Sequence, residues 1–214
     1  MLSGALPGVG VRAYDGPEPV EDGVSFAENA LIKARAAAAH TGLVALADDS
    51  GICVDVLGGA PGIFSARWSG RAHDATANLE LLLAQLADVR AEHRGAHFSC
   101  TIALVVPGSV IPGGQEIVVE GRWDGAIAAA PRGTNGHGYD PVFVPESGTL
   151  TAAEPAPEQK NARSHRARAF TALRSELVAL ESRLSWTRLG AGASVRATAQ
   201  CLRRLLSRAS WSRT

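Results

Sequence analysis

Asp48-Asp49-Ser50-Gly51 sets two adjacent carboxylates, a hydroxyl and a glycine in one tetrapeptide of this 214-residue chain. Neighbouring carboxylates repel unless a cation or hydrogen-bond donors compensate them. A hard divalent ion, Mg2+ above all, takes oxygen ligands from one or two carboxylates together with substrate phosphates. One aspartate could then hold the metal and activate a water while strand or loop alternation turns its neighbour away. Standing alone, the tetrapeptide fits an ordinary turn with Asp as a cap equally well. A second group is the loop Gly133-Thr-Asn-Gly-His-Gly-Tyr-Asp140. Its glycines let backbone approach a ligand closely, and its aromatic and carboxylate side chains could hold a base. The third is a run of donors, Lys160, Arg163, His165 and Arg166, near the start of the last expected helix. Cations at a helix N-terminus suit phosphate oxygens, although the same run reads as a solvated basic face. An acidic metal-type pair, a glycine loop and a basic cluster in one small domain together favour the functional reading.

The elements that must position these groups are legible from caps and apolar runs. Ser25-Phe-Ala-Glu28 is a capping box that opens a helix through Ala-rich sequence to His40, stopped by Gly42. Leu43–Ala47 reads as a buried strand ending on Asp48, with a second strand over Ile52–Leu57, so the acidic pair would sit in the crevice at a strand end. A helix is expected over Asn78–Leu86, with Asp74 or Thr76 as its cap. Phe98–Val106 and Ile117–Trp123 are β runs around a Pro/Gly turn and suggest a hairpin. The last helix should start at about Glu158 or Ser164 and end at Leu180. At 100° per residue Lys160 and Arg166 do not share a face of one continuous helix, so Lys160 is expected in a preceding loop or irregular turn. Interleaved helices and strands give an α/β class with a mixed β-sheet flanked by helices.

Composition narrows the setting. The formal charge is zero, but no Asp or Glu follows Glu181 while the last 33 residues hold seven arginines, so an acidic part of −7 is offset by a tail of +7. The expected division is a catalytic domain over 1–181 and a basic extension over 182–214, loosely helical at most around Gln200–Arg208. Such a tail could meet nucleic acid or a membrane surface; an accidental extension is the preferred reading, leaving nucleic acid as an unlikely partner. With 46% apolar residues the bulk is not disordered. No run approaches the roughly 18 to 20 apolar residues of a membrane helix, and the N-terminus lacks the pattern of a signal peptide, so the expected location is cytoplasmic. Cys53, Cys100 and Cys201 lack C-x-x-C spacing, which argues against a disulfide framework or a zinc site and for buried thiols.

Taken in order, several blocks resemble the Ham1-like (inosine triphosphate pyrophosphatase) family, whose bacterial members are called dITP/XTP pyrophosphatases. They are Ser25-Phe-Ala-Glu-Asn-Ala-Leu-Ile-Lys-Ala-Arg35, Ala47-Asp-Asp-Ser-Gly51, Val54-Asp-Val-Leu-Gly-Gly-Ala-Pro-Gly62, Ser65-Ala-Arg-Trp-Ser-Gly70, Gly138-Tyr-Asp-Pro-Val-Phe143 and Ser164-His-Arg166. The resemblance implies a Mg2+-dependent hydrolase that cuts ITP, dITP and XTP between the α- and β-phosphates. It also implies a homodimer and an elongated α/β fold of two lobes with the substrate in the cleft between them. On that resemblance Asp49 is the general base and a metal ligand, with Asp48 and Glu21 as further acidic groups at the metal. Ser50, Gly138, Tyr139, Asp140, Lys160, His165 and Arg166 match substrate-binding positions, with Gly138 to Asp140 in the base-holding loop. His165 or Arg166 would supply the donors that select a 6-oxo purine.

The sequence departs from the family pattern in four places, one of them Asn135, where the family usually has Gly. The family opens with a strand ending in Ser/Thr-x-Asn-x-x-Lys, and no such segment precedes the match here, which leaves a catalytically impaired, nucleotide-binding relic as the alternative expectation. His137 takes a position where the family has a Phe in the base pocket. Ala156 replaces the usual Ser/Thr before Pro157, which should weaken that helix start by roughly 1 kcal/mol.

Overall fold

The computed structural model describes residues 12–70 and 74–186. The segment Gln200–Arg208, with Cys201, falls outside the described residues. Helix α1 (Phe26–Thr41) forms as its capping box demands: Ser25 Oγ accepts from the Glu28 backbone N–H at 3.2 Å. Glu28 reaches back one residue further than expected, its carboxylate accepting from the Val24 N–H at 2.6 Å. Gly42, at φ 68°, ends the helix with its N–H on the Ala38 carbonyl. Strand β1 spans Ala45–Val54, so the two short strands expected around the acidic tetrapeptide are one. Asp48 to Gly51 sit in the middle of that strand because β2 (Gly95–Val106) pairs with β1 along its whole length. The backbone hydrogen bonds of the tetrapeptide are therefore satisfied by the ladder rather than by a turn.

Helix α2 (Ala75–Gln85) is capped by Asp74, whose carboxylate accepts from the Ala77 N–H at 3.0 Å. Strand β3 (Gln115–Ile127) returns from β2 as the expected hairpin, and the short β4 (Phe143–Pro145) closes the sheet in the order β1-β2-β3-β4. The α/β class with flanking helices holds, but every described pair is antiparallel, which corrects the mixed sheet expected from the sequence. β2 and β3 are joined by the loop 107–114, and the long excursion carrying α2 brings the chain from β1 back to pair with it in the reverse direction. No described connection is the crossover that a parallel pair requires. The last helix is broken in two: α3 (Pro157–Arg163) and α4 (His165–Trp186). Ser164, at ψ 161°, is extended and accepts from the Ala167 N–H through its hydroxyl. Lys160 thus belongs to a short helix of its own, and α4 runs past the expected end at Leu180. Ala156 makes no side-chain cap, as expected.

Packing follows the period of two along β1 and β2. Ala30, Ala34 and Ala38 of α1 lie on Ala45, Ala103 and Val105. On the other face Cys100, Ile102 and Leu104 meet Ala169, Leu173 and Leu177 of α4. Burying Leu173 and Leu177, each nearly inaccessible, contributes about 1.5–3 kcal/mol apiece. A third cluster joins Ile52, Val54, Phe98, Trp123 and Phe143 to Leu79, Leu82 and Leu86 of α2 and the segment behind it. Buried Arg94 ties this part together, donating to the carbonyls of Leu86 at 2.6 Å, Val89 at 2.9 Å and Ala128 at 3.3 Å. Cys53 and Cys100 are buried free thiols, as expected. No helix among the described residues is long and apolar enough to cross a membrane.

Candidate active site

β1 presents Asp49 to one side of the sheet and Asp48 to the other. On the α1 side, Asp49 Oδ1 accepts from Lys33 Nζ at 3.1 Å and Asp49 Oδ2 from Asn29 Nδ2 at 3.3 Å. Asn29 and Lys33 stand one helical turn apart and so face β1 together. Lys33 Nζ also lies 3.4 Å from Glu21, so one ammonium bridges two carboxylates. Asn29 is 1% exposed, and its own oxygen accepts from the Gly23 N–H, which fixes which end of the amide meets Asp49.

On the α4 side, Asp48 Oδ2 gathers three donors: Ser50 Oγ at 3.0 Å, Arg166 Nε at 3.3 Å and Cys100 Sγ at 3.7 Å. Asp48 and Ser50 share this face two residues apart, and Cys100 is the register partner of Ser50 on β2. Burial pushes the Cys100 thiol up to about 12, so it stays a protonated donor. The reason α4 can approach so closely lies on β3. Gly121 is the register partner of Cys100, and a Cβ there would strike the backbone of His165 and Ala169. With only hydrogen at that point, the start of α4 lies flat on the sheet, His165 stacks on Phe98 at 4.8 Å between ring centroids, and Arg166 reaches Asp48.

His165 is buried, and its Nδ1 has no hydrogen-bond partner. Burial first, then the cations Arg166 and Lys160, hold its pKa down to about 3, so the imidazole is neutral and keeps one donor and one acceptor nitrogen. Asp48 and His137 also belong to its electrostatic surroundings. Lys160 donates to Asp140 Oδ2 at 2.7 Å, and the same oxygen accepts from the His137 backbone N–H at 2.8 Å. Asp140 is 2% exposed and so acts as the internal tie of the loop. Gly136 sits at φ 78°, and a side chain there would meet the Asp140 carboxylate. Tyr139 is buried, its hydroxyl donating to the Ser65 carbonyl at 2.9 Å, and burial raises its pKa. His137 is exposed, and Gly138 continues the turn at φ 62°.

Of the expected residues, Asp49 and Glu21 are brought together through Lys33, while Asp48 joins Ser50 and Arg166 on the opposite face. Among the described residues no three His, Cys, Asp or Glu side chains converge as a metal centre. Two carboxylates already share one cation, however, and their donors are all oxygen. That set suits a hard divalent ion that takes its remaining ligands from phosphate and water. Sequence reasoning missed Asn29, Lys33 and Cys100. An Asn and a Lys at i, i+4 within an alanine-rich helix face were the available signal for the first two. The role of Cys100 depends on strand register, for which one sequence carries no local mark.

The Ham1 family model matches residues 5–176. The chain is 62% identical over 180 residues to the dITP/XTP pyrophosphatase of Leifsonia xyli subsp. xyli, covering 84% of this chain and 88% of that one. It is 60% identical over 166 residues to the dITP/XTP pyrophosphatase of Streptomyces coelicolor, covering 77% of this chain and 80% of that one. Among solved structures it resembles the nucleoside-triphosphatase / dITP/XTP pyrophosphatase of Mycobacterium abscessus at 57% identity and TM-score 0.63, covering 74% and 79% of the two chains. A HAM1 protein from Coxiella burnetii matches at 44% identity and TM-score 0.69, over 76% and 81%.

Proposed function

The chain belongs to the Ham1 family, and on that premise we propose that it hydrolyses ITP, dITP and XTP to the monophosphate and pyrophosphate, keeping altered purines out of nucleic acid. The observation that carries this reading is the Asp49 carboxylate, held by Asn29 and Lys33 and next to a second acid, Glu21. Two fixed donors on separate oxygens set the orientation of Asp49, the group that would take a proton from water. Lys33 lowers the cost of bringing a polyphosphate to an acidic strand. Asp49 and Glu21 would hold Mg2+, which when bound offsets charge on the phosphates.

Base selection falls to the other face of β1. Arg166, fixed by Asp48 through Nε, keeps its terminal guanidinium nitrogens for a ligand, next to the buried, neutral His165. Donors facing O6 favour an oxo group over the amino group of adenine, because a buried donor facing another donor is penalised. Lys160 and the loop from Gly136 to Asp140 would close around the base. A homodimer accompanies this reading, and light scattering of the purified chain tests it.

The direct test is pyrophosphate release from dITP and XTP by the purified chain with Mg2+, beside an Asp49→Asn control. Release at the rate of the control sinks the proposal.

A further inference from the structure

We propose that Cys100 is a positioning residue: its thiol, donated to Asp48, holds that carboxylate in the one orientation that fixes Arg166 through its Nε. The inference rests on the base-selecting role given to Arg166 above and deepens it.

Arg166 and Asp48 are both part-exposed, at 42% and 38% of their side-chain surfaces, so the pair by itself would be a loose surface contact. An exposed ion pair of that kind holds its geometry poorly, since long side chains regain rotamer freedom at little electrostatic cost. Three donors on one carboxylate oxygen change that. Ser50 lies on β1, the same strand as Asp48, and moves with it. Cys100 lies on β2, paired on both sides, and is wholly buried. It is the one donor anchored to the sheet interior.

Cys100 has few other uses. It is inaccessible, so it is no nucleophile for a substrate. Its surroundings are Ile102, Leu104, Ala169 and Leu173, where an aliphatic side chain would pack as well. The atom that distinguishes a thiol from such a side chain is its hydrogen, and the carboxylate within its reach is Asp48, beside the Ser50 hydroxyl that is also a hydrogen-bonding neighbour of the thiol. Gly121, on the far side of Cys100, admits α4 to the distance at which Arg166 meets the carboxylate so oriented.

The test compares Cys100→Val, which fills the volume without a donor, and Cys100→Ser, which keeps one. In 15N-resolved proton spectra of the full chain, the Arg166 Nε–H signal, assigned by its loss in Arg166→Lys, should be slow to exchange in the wild type and in Cys100→Ser. It should broaden or exchange faster in Cys100→Val while backbone signals of α4 stay in place. An unchanged Arg166 signal in a folded Cys100→Val chain overturns the proposal. With dITP as substrate, Cys100→Val should raise KM about three- to tenfold with kcat within about twofold, the size of one weak charge-assisted hydrogen bond. In an Arg166→Gln background the same change should add nothing, because coupled residues are not additive. Full additivity, or a fall in kcat alone, also overturns it. Should the wild-type chain release no pyrophosphate, the proposed activity fails, and the Arg166 signal still decides the role of Cys100.

Discussion

Lys33 Nζ lies 3.1 Å from Asp49 and 3.4 Å from Glu21, so α1 lends β1 the cation that its central carboxylate lacks within the strand. Lys33→Met should lower kcat/KM for dITP by about a hundredfold or more, since it removes charge compensation at the reacting phosphates and one orienting donor from Asp49. Asn29→Ala should act on the same carboxylate with a smaller kinetic loss and a larger stability loss, because Asn29 is buried. Steady-state kinetics with urea unfolding of both variants separate the two effects. A Lys33→Met enzyme of wild-type rate would remove Lys33 from the site.

The two neighbouring aspartates should fail differently. Asp49→Asn is expected to abolish turnover, whereas Asp48→Asn should act chiefly on KM and on the dITP to dGTP preference, through Arg166. Measuring kcat and KM for both nucleotides in both variants decides this, and matching profiles would refute the two-faced assignment.

Acid sensitivity should trace to His165. Its pKa in the folded chain is about 3, below the ordinary value of 6.5, so between those values the unfolded chain binds the extra proton. Stability from this group is complete above about pH 6.5 and falls as the pH drops toward 3, by up to about 4 kcal/mol over the window. His165→Phe keeps a ring on Phe98 and should flatten that acid limb, as seen in urea midpoints at pH 7 and pH 4. His97, half-buried with its pKa also lowered by burial, should leave a smaller residual slope.

Gly121→Ala should be costly out of proportion to one methyl group. The new carbon meets α4 backbone at His165 and Ala169, which cannot rotate away. A loss of about 2–3 kcal/mol is expected, with weakened dITP binding as the helix lifts. A thermal scan and a KM measurement check the two consequences.

Arg94→Leu should destabilise by about 3 kcal/mol, lowering the melting temperature by roughly 6–12 °C, because three carbonyls lose a charged donor inside the fold. Activity per folded molecule should hold, since Arg94 touches none of the site residues. Differential scanning calorimetry at neutral pH measures the shift.

What the sequence disclosed divides by range. Signals written in a few consecutive residues were legible: the Ser25 and Asp74 caps, the Gly42 stop, the hairpin and the unshared face of Lys160 and Arg166. Ordered family blocks brought the site residues into view. The sequence places a strand end at Asp48 because Asp-Asp-Ser-Gly has turn chemistry, and only full-length pairing with β2 overrides it. The bonds from Asp140 to Lys160, 20 residues apart, and from Cys100 to Asp48, 52 apart, depend on chain reversals and register that no short window contains.

Because side chains alternate across a strand, Asp48 and Asp49 are neighbours along the chain yet separated by the sheet itself. A carboxylate restored at one position cannot rescue its loss at the other, and each is free to vary with its own partners. Lengthening β1 by a single residue would exchange the two environments, delivering a carboxylate to each face but giving neither its proper neighbours. The chemistry of this chain is therefore guarded by parity: an odd shift in that strand should disable it even where every side chain is kept.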